Sequence, residues 1–151
     1  KYSILKQDFT NPENIDQNNL IIFENNLCFE TSDFQNNKFK KFYIISNKNE
    51  NRCIKLSEKV LKFKSSLIQD QEQRFKNQSI DCEVIDISEI KKIEKAVGLY
   101  PTIGENLDYL NSNTFKINFL YRELDQNSWQ YCNKGFFNFK NYIPKIISTL
   151  N

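Results

Sequence analysis

The chain has 151 residues, a formal net charge of +2 and 26% charged side chains. This balance excludes a disordered polyelectrolyte and gives little long-range attraction to a polyanion. The longest purely apolar runs, such as 20–23, are four residues long, which is too short for a membrane-spanning helix. We therefore expect a globular protein of one domain, or of two very small ones, without a membrane partner.

Few residues are candidates for catalytic chemistry. The chain contains no histidine, the side chain most often used as a general base and metal ligand. Gly98 and Gly104 are not followed by the Lys-Ser/Thr pair of a phosphate-binding loop. Asp81, Glu83 and Asp86 offer a metal-dependent nuclease as an alternative, but helix capping by Asp86 explains its position more simply. We predict no metal, no cofactor and no catalytic activity of the chain's own.

The four cysteines are Cys28, Cys53, Cys82 and Cys132, and none has another close to it in the sequence. Zinc ligands usually stand about two to four residues apart, so this spacing argues against a zinc site. Each cysteine lies in an apolar segment. We predict four small buried hydrophobes and an intracellular, reducing compartment, either the nucleus or the cytoplasm.

The N-terminal half is predicted to be rich in β-strands. Residues 1–19 are polar and contain Pro12, which indicates an arm before the first strand. Residues 20–87 carry short apolar runs and alternating patterns around one helix. The predicted strands are 20–23, 27–32, 38–46, 52–56 and 80–87, and the helix, capped by Ser57, spans 57–76. The sequence therefore predicts an α+β protein whose N-terminal part is an antiparallel sheet, or a small open barrel, with a covering helix.

Residues 88–151 are predicted to begin with short helices. Ser88 is placed to cap a first helix that ends at Gly98. Thr102 and Glu105 have the spacing of a capping box, which predicts a second helix.

The end of the chain predicts a hairpin and a last helix. Residues 115–124 form either a third helix or, because their aromatic residues alternate, a strand. Residues 129–139 give a hairpin signal around Gly135, and 142–150 predict a closing helix. Three short helices followed by a hairpin resemble the order of elements in a winged helix. This winged-helix-like part and the β-rich part can also form one continuous domain.

Two sets of residues are candidate contact sites. In a winged helix the third helix reads DNA and the hairpin touches the backbone. The candidate nucleic-acid-binding residues are therefore Lys116, Asn118, Arg122, Lys134 and Lys140. The predicted hairpin also carries more aromatic side chains than its own two faces can easily bury. The candidate partner-interface residues are therefore Trp129, Tyr131, Phe136, Phe137 and Phe139.

These sites lead to two hypotheses about function. In the first, the chain is a non-catalytic accessory subunit of a larger nucleic-acid-handling complex, with protein-protein contacts and weak contacts to DNA or RNA. In the alternative, it is a purely structural or adaptor subunit of another multiprotein assembly, without nucleic-acid contact. Phosphate contacts make affinity fall steeply with salt, so salt dependence distinguishes the two.

Overall fold

A computed structural model describes residues 9–150 of the chain. The first eight residues of the predicted polar arm and residue 151 lie outside the described residues. The described chain divides into two compact units. We call residues 12–120 the sheet unit. Residues 9–11 together with 121–150 form the second one, the terminal unit.

The sheet unit contains one five-stranded sheet in which every strand pair is parallel. Its strands are β1 (Asn19–Phe23), β2 (Phe42–Ser46), β3 (Cys82–Asp86), β4 (Ala96–Leu99) and β5 (Asn118–Leu120). Their order across the sheet is β3-β2-β1-β4-β5, which places the first strand at the centre. The protein is therefore an α/β protein.

Helices and 3₁₀ turns connect the parallel strands, as parallel pairing requires. Helix α1 (Glu58–Asn77) joins β2 to β3, and α2 (Glu105–Ser112) joins β4 to β5. The connection from β3 to β4 is a 3₁₀ helix at Ile87–Lys92. Shorter 3₁₀ turns lie at Phe29–Thr31 and Asn49–Asn51.

The core has two layers, one on each face of the sheet. On one face Leu20, Ile22 and Ile44 pack with Ile68 and Phe75 of α1. On the other face the neighbouring strand residues pack against helical segments, and this second cluster consists of Ile21, Phe23, Ile45, Ile87, Ile90 and Leu110. A central strand covered on both faces is the usual arrangement in a parallel sheet.

The predicted antiparallel sheet is wrong, and so is the small open barrel. Residues 20–23 of β1 are at most 1% exposed, so both faces of this strand are buried. A continuous apolar run is typical of a strand buried on both faces, whereas a half-buried antiparallel strand alternates. Two predicted strands do not form: a 3₁₀ turn occupies Phe29–Thr31, and residues 52–56 are a loop.

The predicted winged-helix-like half is also wrong. Gly98 does not end a helix, because it lies within β4. Of the two alternatives for residues 115–124, the structure has the strand, β5, so the predicted recognition helix is absent. The second predicted helix exists as α2, but it is preceded by Gly104 instead of being capped by Thr102.

The terminal unit contains three short α-helices, α3 (Glu123–Trp129), α4 (Phe136–Phe139) and α5 (Ile143–Ser148). The hairpin predicted at 129–139 is wrong, because turns and α4 occupy these residues. Backbone hydrogen bonds here are local, such as Tyr131 N to Ser128 O and Phe139 N to Gly135 O, which is why no cross-strand pairing arises. The predicted last helix is confirmed by α5, which has a proline in its first turn.

The cysteines are not the buried hydrophobes that their apolar surroundings predicted. Cys28, Cys53 and Cys132 are exposed, and Cys82 is half-buried. Cys28 and Cys53 lie where the predicted strands do not form. None of the helices described between residues 9 and 150 combines the length and the apolar character that crossing a membrane would require.

Candidate functional site

The carboxyl ends of the five parallel strands lie at one edge of the sheet, and the strand order reverses there. From β1 the chain adds β2 and β3 on one side, and it then returns to add β4 and β5 on the other. The loops after β1 and β4 therefore diverge at the centre of the sheet. In open α/β sheets, ligands bind in the crevice that forms at this switch point.

Asparagine side chains join the two loops at the switch point. The side-chain amide of Asn26 donates to the carbonyl oxygen of Tyr100 at 2.8 Å. The amide of Asn25 donates to the carbonyl oxygen of Pro101. These amides continue the contact between neighbouring strands beyond the last backbone pair and fix the floor of the crevice.

A buried arginine, Arg52, holds three segments together at this edge. Its side chain is 2% exposed, and it pairs with Glu24, which follows β1 and is 5% exposed, at 2.7 Å. It also pairs with Glu105 at the start of α2. Lys64 of α1 binds the same carboxylate oxygen of Glu24 at 2.9 Å. The two cations therefore neutralise a carboxylate that would be costly to bury alone.

The charge of Arg52 is secured by these neighbours. Burial lowers the pKa of the guanidinium, but the hydrogen bonds and charges of Glu24 and Glu105 outweigh that effect, so the pKa is raised. Arg52 is therefore a permanent cation whose donors are used by the protein itself. Its role is to position the loops, and it leaves Lys64 as the more accessible cation of the cluster.

A row of carboxamides runs beside the arginine. Asn47, the first residue after β2, donates from Nδ2 to Oδ1 of Asn106 at 3.2 Å, and Asn106 donates to Asn25 at 3.5 Å. Asn47 is 4% exposed, and its Oδ1 has no hydrogen-bond partner among the described residues. A buried acceptor without a donor is costly, so a donor group that reached this oxygen would gain binding energy.

Two adjoining hollows open at this edge and share Glu24, Arg52 and Lys64. The switch-point hollow, about 380 Å³, lies between the loops after β1 and β4. The helix-side hollow, about 550 Å³, lies between the end of β2 and helix α1. We call the two together the edge crevice. Both volumes are in the range of small-molecule sites.

The edge crevice lacks the elements that hold the phosphates of a dinucleotide. In a dinucleotide-binding sheet of this order, a glycine-rich turn and a helix N-terminus follow the first strand. Here Glu24, Asn25 and Asn26 follow β1, and the next element is a 3₁₀ turn. A carboxylate therefore stands where a phosphate would need backbone N–H groups.

The candidate nucleic-acid-binding residues are not gathered on one element. Lys116 and Asn118 are exposed residues of the sheet unit, just before and at the start of β5. The other three, Arg122, Lys134 and Lys140, belong to the terminal unit and are also exposed. Arg122 forms an ion pair with Asp125 at 2.8 Å. The helix that was expected to present the first three residues does not exist.

The candidate interface aromatics divide into a packed and an exposed group. Trp129 packs against Phe9 with ring centroids 4.6 Å apart, and Tyr131 stacks on Tyr142 at 4.3 Å. Phe139 is half-buried. Phe136 and Phe137 are 67% and 78% exposed. The exposed apolar surface of this set is therefore concentrated in two adjacent residues of α4.

The carboxylate cluster considered for metal chemistry has a structural role at Asp86. Its Oδ1 accepts hydrogen bonds from Asn51 and from the backbone and hydroxyl groups of Ser88, at 2.6–3.0 Å. Burial alone would raise the pKa of Asp86. The hydrogen bonds lower it by more than burial raises it, so the pKa lies below its ordinary value. Among residues 9–150, no group of three or more His, Cys, Asp or Glu side chains is arranged to hold a metal ion.

The sequence reasoning missed the residues of the edge crevice. Glu24 and Asn47 directly follow β1 and β2, and Asn106 lies in the helix after β4, so only parallel pairing of these strands brings the three residues together. The signal that could have found Glu24 and Asn47 is a polar residue directly after each apolar strand. Comparisons of this chain with protein-family models, with curated proteins and with solved structures gave no match.

Proposed function

We propose that the sheet unit binds a small polar molecule in the edge crevice and that this binding is the protein's primary activity. The observation that supports the proposal most strongly is the unpartnered, buried Oδ1 of Asn47 beside the Glu24–Arg52 pair. The position at the switch point and the volume of the hollows agree with it. The sequence prediction that the chain does no chemistry of its own, in an intracellular reducing compartment, stays part of this proposal.

Ligand-induced stabilisation of the full chain tests this function. The probes are a panel of monosaccharides, nucleosides, nucleotides, amino acids and polyamines. A ligand at 100 times its Kd stabilises the folded state by about 2.7 kcal/mol, a rise in Tm of roughly 5–10 °C for a chain of this size. We expect at least one compound class to raise Tm in this way.

Two double variants show whether the shift arises in the edge crevice. Ile54 and Ile103 line the switch-point hollow and are 73% and 93% exposed, so Ile54→Asp/Ile103→Asp changes the crevice without emptying the core. Phe63 and Leu67 are exposed on α1 and line neither hollow, so Phe63→Asp/Leu67→Asp is the matched control. The proposal fails if no probe raises Tm, or if both double variants retain the same shift.

A second candidate is the accessory subunit predicted from the sequence, acting through protein contacts with or without DNA or RNA. The exposure of Phe136 and Phe137 favours the protein-contact part, because exposed aromatic pairs are typical of partner surfaces. For the nucleic-acid part, labelled duplex and single strands would be titrated at two salt concentrations. Binding that weakens steeply with salt supports it, and no binding at low salt contradicts it for the isolated chain.

A further inference from the structure

We propose, on the basis of the function above, that the ligand of the edge crevice is an uncharged molecule with adjacent hydroxyl groups on a compact apolar frame. This chemistry is common to monosaccharides and nucleosides. Four features of the crevice support it: its charge balance, its unpaired acceptors, its cationic flanks and its apolar walls.

The charges that line the edge crevice oppose an anionic ligand. Seven ionised side chains line the two hollows, of which four are carboxylates and three are cations: Glu24, Glu50, Glu72 and Glu105, with Lys48, Arg52 and Lys64. Arg52 and Lys64 are already paired with Glu24 and Glu105, so they have little attraction left for a phosphate. The first turn of α2 also carries Glu105 and Asp108, which cancel the attraction of a helix N-terminus for anions.

Two buried side chains of the crevice, Asn47 and Glu24, each have a hydrogen-bond acceptor without a donor among the described residues. Oδ1 of Asn47 has no donor among the described residues. The hydrogen bonds that Glu24 receives from Arg52 and Lys64 both end on Oε1, which leaves Oε2 without a donor in the described part of the chain. Arg52 bonds both the Glu24 carboxylate and the Asn47 backbone through Nη2, at 2.7 and 2.8 Å, so the two residues are neighbours. These two acceptors belong to residues that share Nη2 of Arg52, and they match two hydroxyl donors of one ligand.

An ammonium group also donates hydrogen bonds, but the flanks of Glu24 disfavour it. Arg52 and Lys64 lie 2.7 and 2.9 Å from Oε1 of this carboxylate. A further cation at Oε2 would lie close to both and would be repelled by them. Hydroxyl groups donate without adding charge, and they therefore fit better than amines.

Apolar side chains form the open wall of the switch-point hollow. Ile103 and Ile54, among the most exposed large apolar residues of the sheet unit, line it together with Leu56 and Pro101. Exposed apolar groups next to a polar floor suit a ligand with one hydroxyl-rich edge and one apolar face. The face of a sugar ring or a nucleobase has this character.

Calorimetric titration of the full chain with matched ligand pairs tests the inference. Adenosine and glucose are the uncharged probes, and AMP and glucose 6-phosphate add a phosphate to the same frames. Two deoxy counterparts lack adjacent hydroxyl groups: 2′-deoxyadenosine loses the single adjacent pair of adenosine, and tetrahydropyran-2-methanol keeps the ring of glucose without its ring hydroxyl groups. Glucosamine and spermidine carry ammonium groups. We expect at least one uncharged probe to bind about tenfold or more tightly than its phosphorylated and its deoxy counterpart, and more tightly than the ammonium compounds.

The outcomes separate this inference from the function on which it rests. Binding of adenosine alone assigns the site to nucleosides, binding of glucose alone assigns it to sugars, and both results support the inference. A phosphorylated, deoxy or ammonium compound that binds as tightly as its uncharged diol overturns it, while crevice binding itself stands. If the full panel of probes gives no binding, both the inference and the proposed function fail. Asn47→Ala should weaken binding of the diol ligand by about tenfold or more. If that variant does not fold, the comparison of ligand pairs on the unmodified chain still tests the inference.

Discussion

The guanidinium of Arg52 closes the loop after β2 by donating two hydrogen bonds to the backbone carbonyl oxygen of Asn47, from Nε at 3.1 Å and from Nη2 at 2.8 Å. The same side chain holds Glu24 after β1 and Glu105 at the start of α2. One buried residue therefore sets the spacing of the segments that border the edge crevice. Its removal affects stability and ligand binding together.

Arg52→Met should lower the free energy of unfolding by about 3–5 kcal/mol, because it leaves the buried carboxylate of Glu24 without its closest cation. Urea denaturation measures the change. Arg122→Met is the matched control: Arg122 is 52% exposed in its ion pair with Asp125, and such pairs contribute about 0–1 kcal/mol. Equal losses in the two variants would contradict the assigned role of Arg52.

Asp86→Asn should destabilise the protein in a pH-dependent way. The carboxylate accepts hydrogen bonds from Asn51 and Ser88 that outweigh the effect of burial and hold its pKa below the ordinary 3.8. A lowered folded-state pKa stabilises the fold above that ordinary value, and the contribution is lost as pH falls through the lower folded-state pKa. At pH 7 we expect a loss of about 1–3 kcal/mol, because a carboxamide cannot accept all these hydrogen bonds.

The difference between Asp86→Asn and the unmodified chain should shrink when urea denaturation is repeated at an acid pH below the ordinary 3.8, as the unmodified carboxylate becomes protonated. Asp81→Asn is the control, since Asp81 is exposed and precedes the same strand. A loss that is the same at both pH values would show that the carboxylate charge is not involved.

Gly98 lies in β4 between β1 and β5, and its neighbours leave little room for a side chain. A Cβ at this position would stand 3.1 Å from Cγ2 of Ile117 and 3.7 Å from Cβ of Ile21. Gly98→Val should therefore lower the free energy of unfolding by about 1–3 kcal/mol through overpacking, and Gly98→Ala should lower it by less. Both losses are measured by urea denaturation.

A second substitution identifies the contact responsible. Ile117→Leu removes the branch at Cβ that carries Cγ2, so Gly98→Ala should cost less in that background than in the unmodified chain. Additive effects of the two substitutions would show that Ile117 does not limit the space at Gly98.

Local features of the fold could be predicted from the sequence. Ser57 was predicted to cap a helix, and its hydroxyl oxygen accepts a hydrogen bond from Val60 N at the start of α1. The strands near 20–23 and 80–87 are confirmed by β1 and β3. These elements depend on residues a few positions apart, and the hydrophobic pattern and the cap reflect that local chemistry directly.

Strand direction and the site could not be predicted from the same patterns. The apolar run of β1 fits both a short antiparallel strand and a doubly covered parallel one, and only the burial of both faces decides. In an antiparallel sheet the carboxyl ends of neighbouring strands lie at opposite edges. The antiparallel prediction therefore gave no reason to expect that residues following different strands would meet. Arg52 and Glu105 are 53 positions apart, and the ion pair between them exists only because β2 and β4 flank β1 in parallel.

Phe136 and Phe137 belong to the aromatic residues that were predicted to form a partner interface on a hairpin. In the helical terminal unit both are exposed, at 67% and 78%, and Lys140 lies 5.6 Å from the ring centroid of Phe137. Exposed aromatic rings contribute little to the stability of the isolated chain, but aromatic residues often dominate protein interfaces.

Phe136→Ser/Phe137→Ser should therefore change the free energy of unfolding by less than about 1 kcal/mol. The same change should abolish concentration-dependent self-association or binding to a partner subunit. Analytical ultracentrifugation of the full chain, alone and with each purified candidate subunit, measures the association. Phe63→Ser/Leu67→Ser, which alters two exposed apolar residues of α1, serves as the control. Unfolding caused by the Phe136/Phe137 change would assign these rings to the core of the terminal unit and remove the partner surface from the second candidate function.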